Sequence, residues 1–567
     1  MSLNLDRNEY IPNVILENFF KEDPLAKLFF RFFWQDQNAE KYFPHLANMG
    51  LSAKIGNEFS MIADKKSPRH IAFNSLGYQQ NNIDFDNSYR RLEELSYGEK
   101  IISLKFEEDL LVKNRSLRHQ IGFAGAYYFA QIEPSLFCPI CMTDALARVL
   151  EIHGDKNNPR VQLALKKLTT DNMKELWQGA MFLTERSGGS DVGSSQVTAE
   201  SRSGEWFLSG HKWFCSNADA KVILALARMR NEKGDFIPGT KGLGLFLIIR
   251  DNESTEKSMT LHRLKEKLGV RSMASAEFTL DNCPANLVGG VGVGFKMMTD
   301  MVNMSRIYNS IASIAISKRS ILEAYHYGIK RKAFGKTLSQ LPLWKMSLAE
   351  LTAEHYALQT FVFYSVRCLD RSDLGEANQT LVLRMLTPVI KALTAKFSVF
   401  AASESLELIG GIAYIEDHVM PRMLRDAQVL PIWEGTTNIQ SLDLLRVFSK
   451  ENISSILAEL EKEKLLSSQL KLELTSLQNI TPEKLEYHAK LILEKLGREI
   501  SLAILEKQLL WAKSSNANSK DENDQLAKFL EVSLKILKQR TFFNSPLAVS
   551  TQSESSDYDL ILKNFFN

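Results

Sequence analysis

Cysteine is scarce in this chain of 567 residues. The five cysteines are an odd and sparse set, so a disulfide framework is excluded as the basis of the fold. Only Cys138 and Cys141 have paired-cysteine spacing, and neither a second pair nor paired histidines accompany them. This pattern favours reduced, packed thiols over a zinc or redox site, and we expect no metal.

An excess of either charge is also missing. Lysine and arginine total 69 against 67 aspartates and glutamates, so no overall field attracts nucleic acid or an anionic membrane. No run of about 18 apolar residues is present. Asp6 and Glu9 stand where a signal peptide would be basic and then apolar, and the final KNFFN is no peroxisomal address. We therefore expect a soluble cytoplasmic protein without membrane insertion.

The hydrophobic content of 44% is enough for several cores. Apolar residues recur at helical spacing up to about residue 180 and again from about residue 295 onwards, whereas short β-rich runs lie between these regions. We predict a mainly α protein with a small β domain, divided into residues 1–180 (helical), 181–290 (β), 291–450 (helical bundle) and 451–567 (extra helical domain). Strands are predicted at 206–208, 222–226, 243–249 and 276–280, long helices at 311–330 and 343–369, and an exposed loop at 513–524.

One carboxylate has an unusual context, in the sequence RDAQVLPIWEGTTNIQ of residues 425–440. Glu434 follows the apolar residues 429–433 and precedes a Gly-Thr-Thr turn. An acid that emerges from apolar surroundings loses hydration and holds its proton more readily, which suits a base near neutral pH. Taken alone, the stretch favours a different interpretation, in which Glu434 caps or begins the following helix.

Two segments near the predicted strands carry groups that suit a nucleotide or a planar ring. LTERSGGSDV (183–192) offers backbone N–H groups at Gly188 and Gly189 and hydroxyls at Thr184 and Ser190, although an isolated Gly-Gly pair is more often an ordinary turn. HKWFCSN (211–217) places two aromatic residues beside a hydroxyl, and strand packing is the alternative.

Three further features lie in the second helical region. RKAFGK (331–336) places a cation, an aromatic ring and a glycine in a predicted turn. The turn could hold a phosphate or an adenine, or it could be an ordinary solvated turn. Arg306 lies on an otherwise apolar helix, where a cation usually needs an anionic partner. Gly410 and Gly411 interrupt another helix and permit close approach.

The order of six motifs along the chain resembles the successive signatures of acyl-CoA dehydrogenases, and the similarity spans about residues 90 to 447. The motifs are TERSGGSD, HKWFCSN, RKAFGK, LIGGIAY, MLRDA and IWEGTTNIQ. KLGVRSMASAEF (267–278), QLPLWK (340–345) and SLFCPICMT (135–143) are similar to the AidB-type, alkylation-response branch. This resemblance implies a helical domain, a β-barrel or sandwich domain and a helical bundle that hold FAD together with a neighbouring subunit of a homotetramer, a dimer of dimers.

The resemblance also implies the role of individual residues. Glu434 matches the catalytic base, and Arg306 keeps its place near the CoA moiety, although Asn303 replaces an aspartate. Glu407 and Asn438 replace glutamines of the family, and Phe214 and Ser216 replace its tryptophan and threonine. The residues that would contact FAD are Met181, Leu183, Thr184, Gly189, Ser190, Phe214, Ser216, Arg331, Phe334, Gly411, Trp433, Thr436 and Asn438.

The implied reaction oxidises an acyl-CoA thioester to the trans-2-enoyl-CoA. Glu434 removes the α-proton, the β-hydrogen passes as hydride to flavin N5, and an acceptor such as an electron-transfer flavoprotein reoxidises the flavin. Two alternatives belong to other classes: an acyl-CoA sensor without turnover, and a DNA-associated flavoprotein. Residues 450–567 hold 16 lysines and arginines against 17 acids, so they lack the basic excess that phosphate contacts need, although LKILKQR (534–540) could contribute to a local basic stripe.

Overall fold

The computed structural model describes residues 11–35, 37–450, 453–477, 480–514, 520–540 and 555–566. Its internal contacts divide the chain into two units, neither of which is a single stretch of sequence. The helical unit comprises Met1–Lys54, Asp109–Ile132 and Asn309–Asn567, and the barrel unit comprises Ile55–Glu108 and Glu133–Tyr308. The four-part division predicted from the sequence stays a prediction.

In chain order, the helices are α1 (Ala26–Trp34), α2 (Phe43–Lys65), α3 (Asn87–Tyr97), α4 (Arg118–Ala130), α5 (Pro134–His153), α6 (Pro159–Leu168), α7 (Glu253–Lys257), α8 (Gly294–Gly328), α9 (Pro342–Asp373), α10 (Ala377–Ile409), α11 (Met420–Ala427), α12 (Thr437–Lys450), α13 (Ile453–Lys462), α14 (Ser468–Ser476), α15 (Pro482–Lys513), α16 (Lys520–Arg540) and α17 (Ser555–Phe566). The strands are β1 (Arg69–Phe73), β2 (Gln79–Asp84), β3 (Gly179–Phe182), β4 (Thr198–Arg202), β5 (Glu205–Ser216), β6 (Val222–Arg228), β7 (Leu243–Ile249), β8 (Met259–Leu264), β9 (Ser275–Val288), β10 (Lys332–Ala333) and β11 (Lys336–Thr337). The predicted class, mainly helical with a small β domain, is confirmed.

The barrel unit is built on a closed ring of strand pairs. Strand β6 pairs with β4, and the order continues through β5, β9 and β7 back to β6, while β3 and β8 attach to β6 and β9. All seven residues of β7 are buried, which explains why its sequence LGLFLII is apolar without alternation. The four predicted strands lie within β5, β6, β7 and β9.

A hairpin of β1 and β2 lies in the region that was predicted to be mostly helical. Its side chains alternate between exposed and half-buried along β1, so the hairpin lacks the long apolar run by which a strand is recognised. Asn81 attaches it within the barrel unit, since its amide donates to the carbonyl of Met259 (2.6 Å) and accepts from the N–H of Leu261 (2.8 Å) on β8.

Helices α9 and α10 and the part of α8 from Asn309 onwards belong to the helical unit. The helix predicted at 343–369 lies within α9, and the one predicted at 311–330 extends two residues beyond the end of α8 at Gly328. Helix α10 has the length and hydropathy of a membrane span, but 78% of its most apolar window is buried inside the protein, as in a core helix. The loop predicted at 513–524 is shorter than expected. Residues 515–519 lie outside the described residues, and α16 already begins at Lys520, with Asp521 and Glu522 in its first turn.

The lysines of the C-terminal helices are largely paired with carboxylates. In the predicted basic stripe, Lys535 contacts Asp557 at 2.5 Å and Lys538 contacts Glu506 at 2.6 Å. Lys495 contacts Glu473 on a neighbouring helix. These pairs neutralise the charge that phosphate contacts would require.

The five cysteines form no disulfide bond, and four of them are buried, with Cys138 half-buried on α5. Within the ranges that the structure describes, no group of three or more histidine, cysteine or acidic side chains is placed to hold a metal ion.

Asp86 caps helix α3 and offers a test of its charge. The carboxylate accepts from the N–H of Ser88 at 2.9 Å, and the hydrogen bonds from Ser88 and Lys66 lower its pKa from 3.8 to about 2. We expect Asp86→Ala to lower the free energy of unfolding by about 1 kcal/mol near neutral pH. Because the folded pKa is depressed, the charge-dependent part of this difference exists above the unfolded pKa of 3.8 and disappears as the pH falls towards 2. Denaturant titrations at several pH values measure it, and Asp86→Asn, which keeps the cap without the charge, is the control.

Candidate active site

Glu434 lies in a tight turn between α11 and α12, not in a helix. Its φ angle is 57°, followed by 95° at Gly435, and α12 begins only at Thr437. The interpretation of Glu434 as a capping or first-turn residue is therefore wrong. A left-handed backbone is uncommon for a residue other than glycine and costs about 1 kcal/mol or more, so the surrounding structure must stabilise it.

Two buried side chains hold this turn. The Gln440 side-chain amide donates to the carbonyls of Glu434 (2.8 Å) and Gly435 (3.0 Å), and the Lys391 ammonium donates to the carbonyl of Gly435 (2.6 Å). A Cβ at Gly435 would lie 2.8 Å from the Gln440 nitrogen, so glycine is required here. The turn carbonyls are satisfied, and the backbone of Glu434 is held in one conformation.

The apolar residues 429–433, which precede Glu434, are only partly buried in the structure. Leu430 is buried, and Asn309 donates to its carbonyl at 3.0 Å, but Ile432 is 62% exposed. Glu434 and Trp433 are half-buried. The indole N–H of Trp433 is buried and has no hydrogen-bond partner among the residues of the described ranges. Thr436 ends the turn, Asn438 lies in the first turn of α12, and both are exposed.

We expect Gln440→Ala to destabilise the helical unit, because it removes the buried side chain that donates to the carbonyls of Glu434 and Gly435. The loss should be about 1–3 kcal/mol in the free energy of unfolding. Arg446→Ala, an exposed change on the same helix, is the matched control. Urea titrations that show equal stability for the two variants would contradict this role of Gln440.

The RKAFGK motif forms a hairpin. Strands β10 and β11 pair through the two-residue loop Phe334–Gly335, whose φ angles are 50° and 76°. Positive φ at both loop residues is the type I′ geometry that suits a two-residue hairpin. The loop presents Phe334 with 93% of the residue exposed. The ring is therefore accessible to a ligand or to another chain.

A cavity of about 500 Å³ lies beside this hairpin, within the helical unit, lined by Ile11, Tyr327, Arg331, Leu338, Ile409, Gly411 and Ile412. A Cβ at Gly410 or Gly411 would meet nothing within 4 Å, so the chain leaves open space there. Arg331 is exposed and forms no ion pair with a carboxylate in the described part of the chain. Among the described residues, the cavity thus offers an unpaired guanidinium beside glycine backbone that no side chain covers.

The barrel unit brings the other sequence motifs together. Met181 lies within β3 and Leu183 to Ser190 follow it, and the Trp213 N–H of β5 donates to the carbonyl of Thr184 at 2.9 Å. Phe214 is 53% exposed, and the hydroxyl of Ser216 lies 3.0 Å from that of Ser275. Leu183 is half-buried, and Gly189 packs so closely on Thr184 that a Cβ would lie 3.2 Å from its methyl group.

A buried ion pair in this unit was not found from the sequence. The Lys212 ammonium, fully buried, donates to Glu185 (2.7 Å) and to the carbonyl of Leu226 (2.9 Å). Glu185 also accepts from the N–H of Gln196 at 2.5 Å. The sequence offered one signal for this pair: Lys212 stands beside the aromatic residues of the HKWFCSN motif, and Glu185 lies in the preceding motif.

Arg306 lies on α8 and is only 8% exposed. Its guanidinium donates to the side-chain carbonyl of Asn303 at 3.2 Å, one helical turn earlier. Asn303, which replaces an aspartate of the family pattern, therefore contacts the cation without neutralising it.

Three family models cover most of the chain. They are the AidB N-terminal domain (residues 11–172), the acyl-CoA dehydrogenase middle domain (180–283) and the acyl-CoA dehydrogenase C-terminal domain (292–448). Acyl-CoA dehydrogenase family member 11 of Caenorhabditis elegans is 33% identical over 450 residues, which are 77% of this chain and 72% of that protein. The putative acyl-CoA dehydrogenase AidB of Escherichia coli is 29% identical over 416 residues, 72% and 74% of the two chains.

A solved structure shows the same architecture. The crystal structure of Caenorhabditis elegans ACDH-11 in complex with C11-CoA superposes with a TM-score of 0.83 at 30% identity, covering 94% of this chain and 92% of that one. The matched models, the relatives and the fold agree with the order of motifs along the sequence. This chain belongs to the acyl-CoA dehydrogenase family of oxidoreductases, with an AidB-type N-terminal domain.

Proposed function

We propose that this protein binds FAD and oxidises an acyl-CoA thioester to the trans-2-enoyl-CoA, with Glu434 as the base that removes the α-proton. The observation that carries the proposal is the left-handed turn at Glu434, held by Gln440 and Lys391. Strained backbone supported on several sides is characteristic of functional sites, and a carboxylate is the group that a C–H deprotonation needs.

The described residues fit FAD at several points. In the helical unit, Arg331 and the open backbone at Gly411 suit a phosphate, and the exposed ring of Phe334 suits an adenine. The unpartnered indole N–H of Trp433 is a buried donor that a bound group would satisfy. In the barrel unit, Phe214 presents an aromatic face. Bacillus anthracis acyl-CoA dehydrogenase, which shares the fold at a TM-score of 0.65 and 16% identity, is described in complex with FAD.

The further contacts follow the family pattern, with Met181, Leu183, Thr184, Gly189, Ser190 and Ser216 in the barrel unit and Thr436 and Asn438 beside Glu434. The hairpin at Phe334 extends to a neighbouring copy of the chain in a homotetramer. When bound, FAD supplies the acceptor for the β-hydrogen as hydride.

The protein's own task is to position and deprotonate the thioester. The rigid turn holds the Glu434 carboxylate at a constant place, which lowers the entropic cost of reaching the reactive geometry. The backbone N–H of Glu434 polarises the thioester carbonyl as charge develops. Arg306 binds the CoA moiety through its buried guanidinium. The C11-CoA bound to ACDH-11 supports an acyl-CoA of medium length as the first ligand to test.

A chain-length series of acyl-CoAs tests the proposal. The purified flavoprotein is mixed anaerobically with each acyl-CoA, and the visible absorbance of the flavin is followed. At least one member should bleach the flavin and yield the enoyl product. If the flavin stays oxidised with every chain length, the dehydrogenase function is wrong and an acyl-CoA sensor becomes the better reading. Reoxidation by an electron-transfer flavoprotein in the cytoplasm completes the proposal.

A further inference from the structure

The two aromatic residues of the HKWFCSN motif sit on a β-bulge. Strand β5 pairs with β9 in the register Lys212 to Phe278, and the next pair is Cys215 to Ala276. Two residues, Trp213 and Phe214, therefore stand opposite Glu277 alone. A bulge turns side chains away from the regular alternation and is common beside active sites.

The bulge brings both rings to one ammonium group. The Lys265 nitrogen lies 3.6 Å from the centre of the Trp213 ring and 4.7 Å from that of Phe214. The Arg186 guanidinium lies 5.1 Å from the Trp213 ring. In a regular strand these neighbouring rings would point to opposite faces and would not share a cation. We call Trp213, Phe214 and Lys265 the cation platform.

The charge of the platform is positive and held in place. Lys265 donates to Glu277 at 2.7 Å, and Arg263 contacts the same carboxylate at 2.8 Å. Burial opposes the charge of Glu277, but these two hydrogen bonds lower its pKa, so the carboxylate is ionised. Two cations thus contact this one anion, and Arg186 adds a third positive charge beside the Trp213 ring. The side chain of Lys265 is only 11% exposed, so solvent screens its charge weakly.

Phe214 lies between the ammonium group of Lys265 and the solvent, since its ring contacts Lys265 while 53% of the residue is exposed. A ligand that packs on the exposed side of Phe214 would therefore feel the positive charge of Lys265. We propose that Lys265 is a positioning residue that raises the reduction potential of the flavin placed against Phe214. Reduction adds negative charge to the isoalloxazine ring, and a fixed cation behind the aromatic face stabilises that charge. The inference rests on the proposed binding of FAD, and it assigns Lys265 a role that the family resemblance does not.

The reduction potential of the bound flavin tests this role. The holoprotein is titrated with dithionite beside a reference dye, without acyl-CoA. We expect Lys265→Met to reduce the ratio of reduced to oxidised flavin at a fixed ambient potential about tenfold. Lys265→Arg should stay within about threefold of the wild type because it keeps the charge. Glu277→Gln should change the ratio in the opposite direction, since it removes the anion.

Shifts of opposite sign in Lys265→Met and Glu277→Gln distinguish an effect of charge from a structural disturbance. A disturbed cation platform would shift the reduction potential in the same direction in both variants. An unchanged potential in Lys265→Met, or shifts of the same sign in Lys265→Met and Glu277→Gln, overturns the proposal. If Lys265→Met does not fold, Arg263→Met removes an exposed cation from the same carboxylate and should shift the ratio the same way but less. An acyl-CoA that fails to reduce the flavin affects only the proposed oxidation, whereas purified protein without flavin overturns both.

Discussion

Replacing Glu434 by glutamine is expected to slow flavin reduction by acyl-CoA at least about a thousandfold, the upper part of the range for a general base. Glutamine keeps the size and the hydrogen-bonding shape of the side chain but cannot accept the α-proton. The turn should survive, because Gln440 and Lys391 donate to the backbone carbonyls of Glu434 and Gly435, which the substitution keeps. Stopped-flow absorbance of the flavin measures the rate.

Binding has to be measured in the same variant. Acyl-CoA should still perturb the flavin spectrum of Glu434→Gln with an affinity within about threefold of the wild type, which separates loss of the base from loss of the site. Glu416→Gln, an exposed acid that pairs with Arg425 at 2.5 Å, is the control and should reduce the flavin normally. Full reduction by Glu434→Gln would show that another group is the base.

Replacing Lys212 by methionine is expected to destabilise the barrel unit strongly. It leaves the Glu185 carboxylate, 4% exposed, without its cation, and breaking a buried pair in this way costs about 3–5 kcal/mol. Burial lowers the pKa of Lys212 while Glu185 opposes that shift, so the ammonium depends on this carboxylate for its charge. Urea unfolding followed by circular dichroism measures the loss.

Two comparisons show whether the buried pair is the cause. Lys221→Met removes an ammonium that is 48% exposed and 3.4 Å from Glu256, and it should change stability by less than about 0.5 kcal/mol. Lys212→Met combined with Glu185→Gln should recover part of the loss, since no unpaired charge remains. Equal stabilities of Lys212→Met and Lys221→Met would contradict the assignment. The pair adjoins Thr184 and the bulge at Trp213, so the loss of FAD from Lys212→Met is an accompanying expectation.

Local patterns predicted the helical or β character of the main regions and several individual elements. Strands β6 and β7 are short apolar runs between turn residues, and helices α8 and α9 repeat apolar residues at the helical period, so the residues themselves specify these elements. The β1–β2 hairpin was missed because its side chains are mostly exposed or half-buried and offer no apolar run. Helix α16 begins inside the polar stretch predicted as a loop, because acids are favourable in the first turn of a helix.

The candidate site divides in the same way. The order of motifs along the chain was sufficient to assign the chain to the acyl-CoA dehydrogenase family and to predict Glu434 as its base. The comparisons confirm the family. The local residues alone favoured a helix-start carboxylate, and that was wrong, since the turn depends on Lys391, which lies more than forty residues earlier in the chain. The individual cofactor and substrate contacts stay predictions.

The sequence by itself determined the class of fold, the family and the identity of the candidate base, because periodicity and motif order are properties of residues near one another in the chain. Only the tertiary structure decided the left-handed turn at Glu434, the bulge that brings Trp213 and Phe214 to Lys265, and the buried pair of Lys212 and Glu185. Each of these depends on hydrogen bonds or charges between residues far apart in sequence. Their partners are selected by packing, and no local pattern encodes that choice.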